Sequence, residues 1–110
     1  MFFRRVPEVA PHELAERLRG EEKPLIVDVR EPDETAVSKL PGALCIPMDQ
    51  LPERLAELPK DRDIVVVCRS GARSGACTRY LIQSGFTRVK NLRGGMIGWS
   101  RAVDPKMPVA

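Results

Sequence analysis

Cys68 opens the segment Cys68-Arg69-Ser70-Gly71-Ala72-Arg73-Ser74, which places a nucleophile, two cations and a glycine within a few residues of one another. The thiolate is the nucleophilic form of cysteine, and nearby positive charge or a helix N-terminus favours it over the thiol. Ahead of Cys68 runs Ile64-Val65-Val66-Val67, apolar and without alternation, the pattern of a central parallel strand buried on both faces. Behind the segment, residues 74–84 read as a helix with Cys77, Tyr80, Leu81 and Ser84 on one face and Gly85 as its stop. A strand-to-helix joint of this kind can turn backbone N–H groups toward an anion, and Gly71 allows the tight curve. Cys68 is therefore expected to be a reactive thiolate. Arg69, Ser70, Gly71, Ala72, Arg73 and Ser74 are the expected anion-binding positions, and both guanidiniums are expected to lower the Cys68 pKa and neutralise an anionic substrate. The competing reading is an inert cysteine at the end of a core strand. It does not account for two arginines and a glycine in the next five residues.

The distribution of charge points the same way. The net charge is +3, but residues 1–60 hold nine basic and twelve acidic side chains, whereas residues 61–110 hold nine basic and three acidic ones. Between Ile64 and Val103 there is no Asp or Glu, while Arg69, Arg73, Arg79, Arg88, Lys90, Arg93 and Arg101 all fall there. Such a field draws small anions toward the Cys68 segment. The basic residues are scattered and form no array with stacking aromatics, so a nucleic-acid partner is not expected. Three cysteines without a Cys-x-x-Cys pair, together with one histidine, speak against a disulfide framework or a structural metal site. No metal or organic cofactor is expected. The longest wholly apolar run ends at Cys68 and falls far short of the ~20 residues that span a bilayer, so no membrane segment is expected. Phe2-Phe3 precede Arg4-Arg5, the reverse of a secretory signal, and a cytoplasmic location is expected.

The elements that must position Cys68 are legible as short β-rich runs alternating with helical patterns. Val6 is read as opening a strand, followed by a helix from Pro11 that carries Leu14, Ala15 and Leu18 and ends at Gly20. Leu25-Ile26-Val27-Asp28-Val29 is a strand, Glu31-Pro32-Asp33-Glu34 a helix start, and Ala43-Leu44-Cys45-Ile46 a strand stopped by Pro47. Residues 52–58 read as helical. Arg88-Val89-Lys90-Asn91-Leu92 is a last strand, followed by Gly94-Gly95 and a helix over residues 96–102. Five strands alternating with helices predict one α/β domain over residues 1–110, with a mostly parallel sheet flanked by helices on both faces and a loose tail over residues 104–110. In such sheets ligands bind beyond the carboxyl ends of the strands, where Cys68 falls.

At this point the chain resembles the rhodanese-like domain family over nearly its whole length. The landmarks run in family order. They are Asp28-Val29-Arg30-Glu31-Pro32, Pro41-Gly42-Ala43 leading to Ile46-Pro47, Val67-Cys68-Arg69-Ser70-Gly71-Ala72-Arg73-Ser74, Gly85-Phe86, Asn91-Leu92-Arg93-Gly94-Gly95 and Gly98-Trp99. The resemblance implies a five-stranded parallel sheet and a sulfurtransferase. Cys68 would take sulfane sulfur from a donor such as thiosulfate, become a persulfide, and pass the sulfur to cyanide or to a thiol acceptor. Relay of persulfide sulfur between protein partners is the near alternative. Cysteine-dependent phosphatases and arsenate reductases of the same fold carry one residue more between Cys and Arg. Here four residues separate Cys68 from Arg73, which favours sulfur over phosphate. Non-catalytic interaction modules of the family tend to lack the cysteine. The chain departs from the family pattern at Asp33, Thr35 and Ser38-Lys39-Leu40, where many members carry aromatics and a Gly-His pair.

Other chemistry-bearing residues read as structural. Asp28 and Arg30 flank a strand end and suit an ion-pair scaffold. Cys45 and Cys77 read as core, His12 as a surface residue, and Met96 and Trp99 as packing.

Overall fold

Ile64-Val65-Val66-Val67 takes the centre of the sheet, where a strand that is apolar on both sides can be covered on both sides. The structure, a computed structural model, describes residues 5–110. In chain order the elements are β1 (Glu8–Val9), α1 (Pro11–Arg19), β2 (Leu25–Asp28), α2 (Pro32–Val37), β3 (Leu44–Cys45), a 3₁₀ segment (Met48–Glu57), β4 (Ile64–Val67), α3 (Ala72–Gln83), β5 (Val89–Leu92) and α4 (Gly95–Ala102). The strands lie in the order β1-β5-β4-β2-β3, and every neighbouring pair is parallel. The α/β class and five-stranded sheet expected from the sequence are present, and the sheet is wholly parallel.

Alternation along β4 divides the core. Ile64 and Val66 face one layer with Val27, Val29 and Val89, covered by Leu51 and Leu58 of the 3₁₀ segment and by Cys77 and Leu81 of α3. Val65 and Val67 face the other, with Ile26 and Leu92, covered by Leu14 and Ala15 of α1 and by Met96 and Trp99 of α4. Helices therefore cover both faces, each fully buried aliphatic side chain contributing about 1.5–3 kcal/mol.

Several boundaries differ from the sequence reading. β1 begins at Glu8 rather than Val6. The segment expected as a helix over residues 52–58 begins at Met48 and is 3₁₀, with a kink at Arg54; Pro52 has no N–H to give to a regular α-helix. α3 starts at Ala72, two residues early, because Gly71 takes a left-handed conformation (φ 105°) and its carbonyl accepts the Gly75 N–H at 2.9 Å. Cys45 is half-buried on the edge strand β3, not a core residue. The tail expected to be loose is docked. Met107 and Val109 pack against the α1–α4 layer, Ser100 Oγ donates to Met107 O at 3.0 Å, and Ser38 Oγ donates to Pro108 O.

Beyond β2 lies a buried ion pair. Arg30 and Asp28 are 0% and 1% exposed. Arg30 Nε donates to Asp28 Oδ1 at 3.0 Å and Nη2 to Oδ2 at 2.8 Å, while Nη2 also donates to Ser38 O at 2.7 Å. The pair closes on itself and ties the end of β2 to the residue following α2, which is the scaffold role expected. Removing one partner strands a buried charge. Arg30→Leu is expected to lower stability by about 3–5 kcal/mol, out of the 5–15 typical of a domain, in urea unfolding. The double substitution Asp28→Asn, Arg30→Leu should recover part of that loss, and equal losses would assign the effect to packing alone.

Candidate active site

Strand parity decides where the Cys68 sulfur lies. Ile64, Val66 and Cys68 alternate onto the same face, and Cys68 accordingly joins the core layer beneath α3. There the first turn of α3 meets it. Gly71 N donates to Cys68 Sγ at 3.1 Å, and Ser74 Oγ stands 3.2 Å from the same sulfur. α4 shapes the turn from the other side. The Met96 and Ile97 N–H groups donate to Cys68 O at 2.9 Å and Arg69 O at 3.0 Å. With Arg69 O drawn toward α4, the Ser70 N–H of the same trans peptide faces the sulfur side. This approach needs a glycine. A Cβ on Gly95 (φ 59°) would stand 2.5 Å from Cys68 O and 2.6 Å from Arg69 O.

Cys68 is 1% exposed, and burial alone would push its pKa up. The Ser74 hydroxyl and the backbone N–H groups of Ser74, Gly71 and Ser70 outweigh burial and hold the pKa below the ordinary thiol value. Cys77, in the same layer, has no such donors. Burial first, and then the Cys68 charge, push it up to about 11, so it stays a thiol at neutral pH.

The two arginines are not equivalent. Arg73 lies in the first turn of α3 and is spent on a bidentate pair with Glu34 of α2, Nη1 to Oε1 at 2.6 Å and Nη2 to Oε2 at 2.7 Å. Its charge still couples to Cys68, but the Glu34 carboxylate opposes its field there. Arg69 is exposed, and among the described residues its guanidinium has no ion pair or hydrogen bond. The cation open to an incoming anion is Arg69. Ser70 and Ala72 are exposed at the rim, Gly71 is half-buried and Ser74 is buried.

Two residues of this cluster escaped the sequence reading. Glu34 is marked only by its place one turn after Arg30-Glu31-Pro32, and Asn91 only by preceding Leu92 and Gly94-Gly95. Asn91 is 4% exposed and reaches both Ser74 and Gly71. A cleft of about 610 Å³ lies at the opposite end of the sheet, where Arg17 and Arg88 are paired with Asp63 at 2.7 and 2.9 Å. No thiol or hydroxyl side chain lines it.

The Glu34–Arg73 pair has a pH signature. The Arg73 guanidinium holds the Glu34 carboxyl down at about 2, from an ordinary 4.5. A depressed folded-state pKa adds stability that is complete above the unfolded value and lost as pH falls toward 2. Arg73 is more than a third exposed, so solvent screening limits the contribution to about 1 kcal/mol. Glu34→Gln is expected to lower the urea midpoint at pH 7 by that amount and to match the parent protein near pH 2.

The rhodanese-like domain family profile matches residues 10–102. A sulfurtransferase of Allochromatium vinosum is 50% identical over 96 residues, covering 87% of this chain and 90% of that protein. The crystal structure of a rhodanese-like domain protein from Staphylococcus aureus superposes with a TM-score of 0.83 at 33% identity, covering 94% of this chain and 98% of that one. The crystal structure of a thiosulfate sulfurtransferase from Pseudomonas aeruginosa superposes with a TM-score of 0.81 at 32% identity, over 88% of this chain and 19% of that one. Agreement of this extent in both sequence and backbone means that the chain belongs to the rhodanese-like domain family.

Proposed function

We propose that the protein is a sulfurtransferase in which Cys68 cycles between thiolate and persulfide, with Arg69, Ser70, Gly71, Ala72, Arg73 and Ser74 binding the anionic donor. Family membership and the sulfurtransferase relative support sulfur transfer as the class of reaction. The observation that carries the reading is a buried sulfur ringed by donors. Gly71 N–H and Ser74 Oγ lie 3.1 and 3.2 Å from Sγ, and the pKa stays low although water is excluded. Such a site stabilises negative charge on sulfur, which is what thiolate and persulfide share.

The chemistry balances without an added redox partner. The Cys68 thiolate attacks the outer sulfur of thiosulfate, the bond between the two sulfurs breaks, and its electron pair leaves with sulfite. Cys68 then carries the transferred sulfur as an anionic persulfide. Cyanide or a thiolate acceptor attacks that outer sulfur, and the electron pair of the broken bond returns to Cys68. Arg69 meets the doubly charged donor at the rim, Arg73 orders the first turn of α3 through Glu34, and the loop amides receive the charge that stays on sulfur.

Intact-mass measurement tests this directly. Incubation with thiosulfate should add one sulfur atom, cyanide should remove it, and Cys68→Ser should take up none. Hydrolysis of an aryl phosphate without any sulfur adduct would replace this reading with a phosphatase. Arg69→Ala removes one solvent-exposed charge worth about 1 kcal/mol, and should raise the thiosulfate KM roughly fivefold with kcat little changed. That effect should shrink in high salt as the charge is screened.

A further inference from the structure

Gly71, Cys68, Ser74 and Asn91 form a closed circuit of hydrogen bonds. Gly71 N–H donates to Cys68 Sγ (3.1 Å), Sγ lies 3.2 Å from Ser74 Oγ, Ser74 Oγ–H donates to Asn91 Oδ1 (2.5 Å), and Asn91 Nδ2 donates back to Gly71 O (3.1 Å). The last link sets the orientation of the amide. Turned over, Asn91 would oppose its carbonyl oxygen to that of Gly71, acceptor against acceptor. Oδ1 therefore faces Ser74 as an acceptor, and Ser74 owns a single hydroxyl proton.

That proton is contested. When Cys68 is a thiol, S–H can donate to Ser74 Oγ while Ser74 donates to Asn91, and each link is satisfied. When Cys68 loses its proton to solvent, the thiolate needs the Ser74 proton, and turning it toward sulfur strips the buried Asn91 Oδ1 of its donor. The helix is built to admit this contact. Gly75 stands inside α3, where glycine weakens a helix, and a Cβ there would lie 3.3 Å from Asn91 Nδ2. Asn91 shares its strand face with Val89, so β5 aims it at α3 as β4 aims Cys68.

We infer that Asn91 is a positioning residue acting through Ser74, competing with the Cys68 sulfur for the hydroxyl proton and so setting the thiol–thiolate balance of Cys68. Its part in sulfur transfer rests on the function proposed above. The other groups around Cys68 are Arg73 and Cys77 on α3, Glu34 of α2 and the preceding Glu31 acting on Arg73, the adjacent Arg69, and the self-paired Asp28–Arg30 beyond β2. α4 meets the loop through the Met96 and Ile97 N–H groups. None of these competes for the Ser74 proton. The loop does not depend on Asn91 for its shape, since Gly71 O also accepts from Gly75 N at 2.9 Å and α4 holds the Cys68 and Arg69 carbonyls.

The test is the pH dependence of Cys68 alkylation by iodoacetamide, read by mass on tryptic peptide 63–69, which contains neither Cys45 nor Cys77. Asn91→Leu should free the Ser74 proton for the thiolate and lower the apparent Cys68 pKa by roughly half a unit to one unit. Ser74→Ala should raise it, and adding Asn91→Leu to Ser74→Ala should then change nothing. A shift that survives in the Ser74→Ala background, or a rise on Asn91→Leu, overturns the proposal, because general loosening of the loop does not need Ser74. If Asn91→Leu does not fold by circular dichroism, Asn91→Ala takes its place in the same cycle. Sulfur loading from thiosulfate on the same samples separates the two readings. If the parent protein fails to load, sulfur transfer is refuted while the alkylation cycle still decides on Asn91.

Discussion

Negative charge on a buried sulfur can persist only if fixed donors replace the water that burial removes, and the architecture around Cys68 follows from that requirement. Cys68 ends a strand whose side chains are all 2% exposed or less, so nothing in its strand supplies polarity. The donors come from the backbone turn that follows and from the first turn of α3. The turn needs Gly71 at positive φ, and α4 must come close enough for its N–H groups to hold the Cys68 and Arg69 carbonyls, which needs Gly95. Two helix N-termini thus converge on one short loop, one supplying donors to sulfur and the other turning the loop peptides so that their amides face it.

Arginine serves three different ends here. Arg30 is buried and neutralised by Asp28, Arg73 is half-buried and bound to Glu34, and Arg69 is exposed and without a partner among the described residues. The first two share a target. α2 buries none of its residues, so no hydrophobic face attaches it to the sheet. It is held instead by Arg30, which reaches Glu34 O at 3.4 Å and Ser38 O at 2.7 Å, and by Arg73 on the Glu34 carboxylate. The helix beside the mouth of the site is therefore fastened by polar contacts, which weaken with salt and acid as hydrophobic ones do not. Of these three, Arg69 leaves its charge uncommitted among the described residues.

Much of the fold is legible in the sequence, because β4 is apolar without interruption and α1 and α3 carry helical spacing. The misreadings fall where local signals compete. Pro52 reads as a helix start in the sequence, yet the segment begins at Met48 and is 3₁₀. Ser74 reads as the start of α3, yet Gly71 caps it, a role that left-handed glycine plays more often at the other end of a helix. The tail looked loose because Pro105 and Pro108 preclude regular structure, but Met107 and Val109 found an apolar surface to bury against.

The sequence by itself determined which residues surround Cys68 along the chain. Cys68 at the end of the most apolar strand, followed by Arg69, Gly71 and Arg73, specifies a thiolate-holding loop because each of those properties is local. What only the tertiary structure decided is which polar partner each residue meets. Glu34 lies 39 positions before Arg73, and Asn91 lies 17 after Ser74. No periodicity links them, since parallel strands bring together residues separated by whole crossover connections. Strand parity put Cys68 and Asn91 on one face, the early start of α3 turned Arg73 toward α2, and the two like cations of the sequence became one structural tie and one free charge.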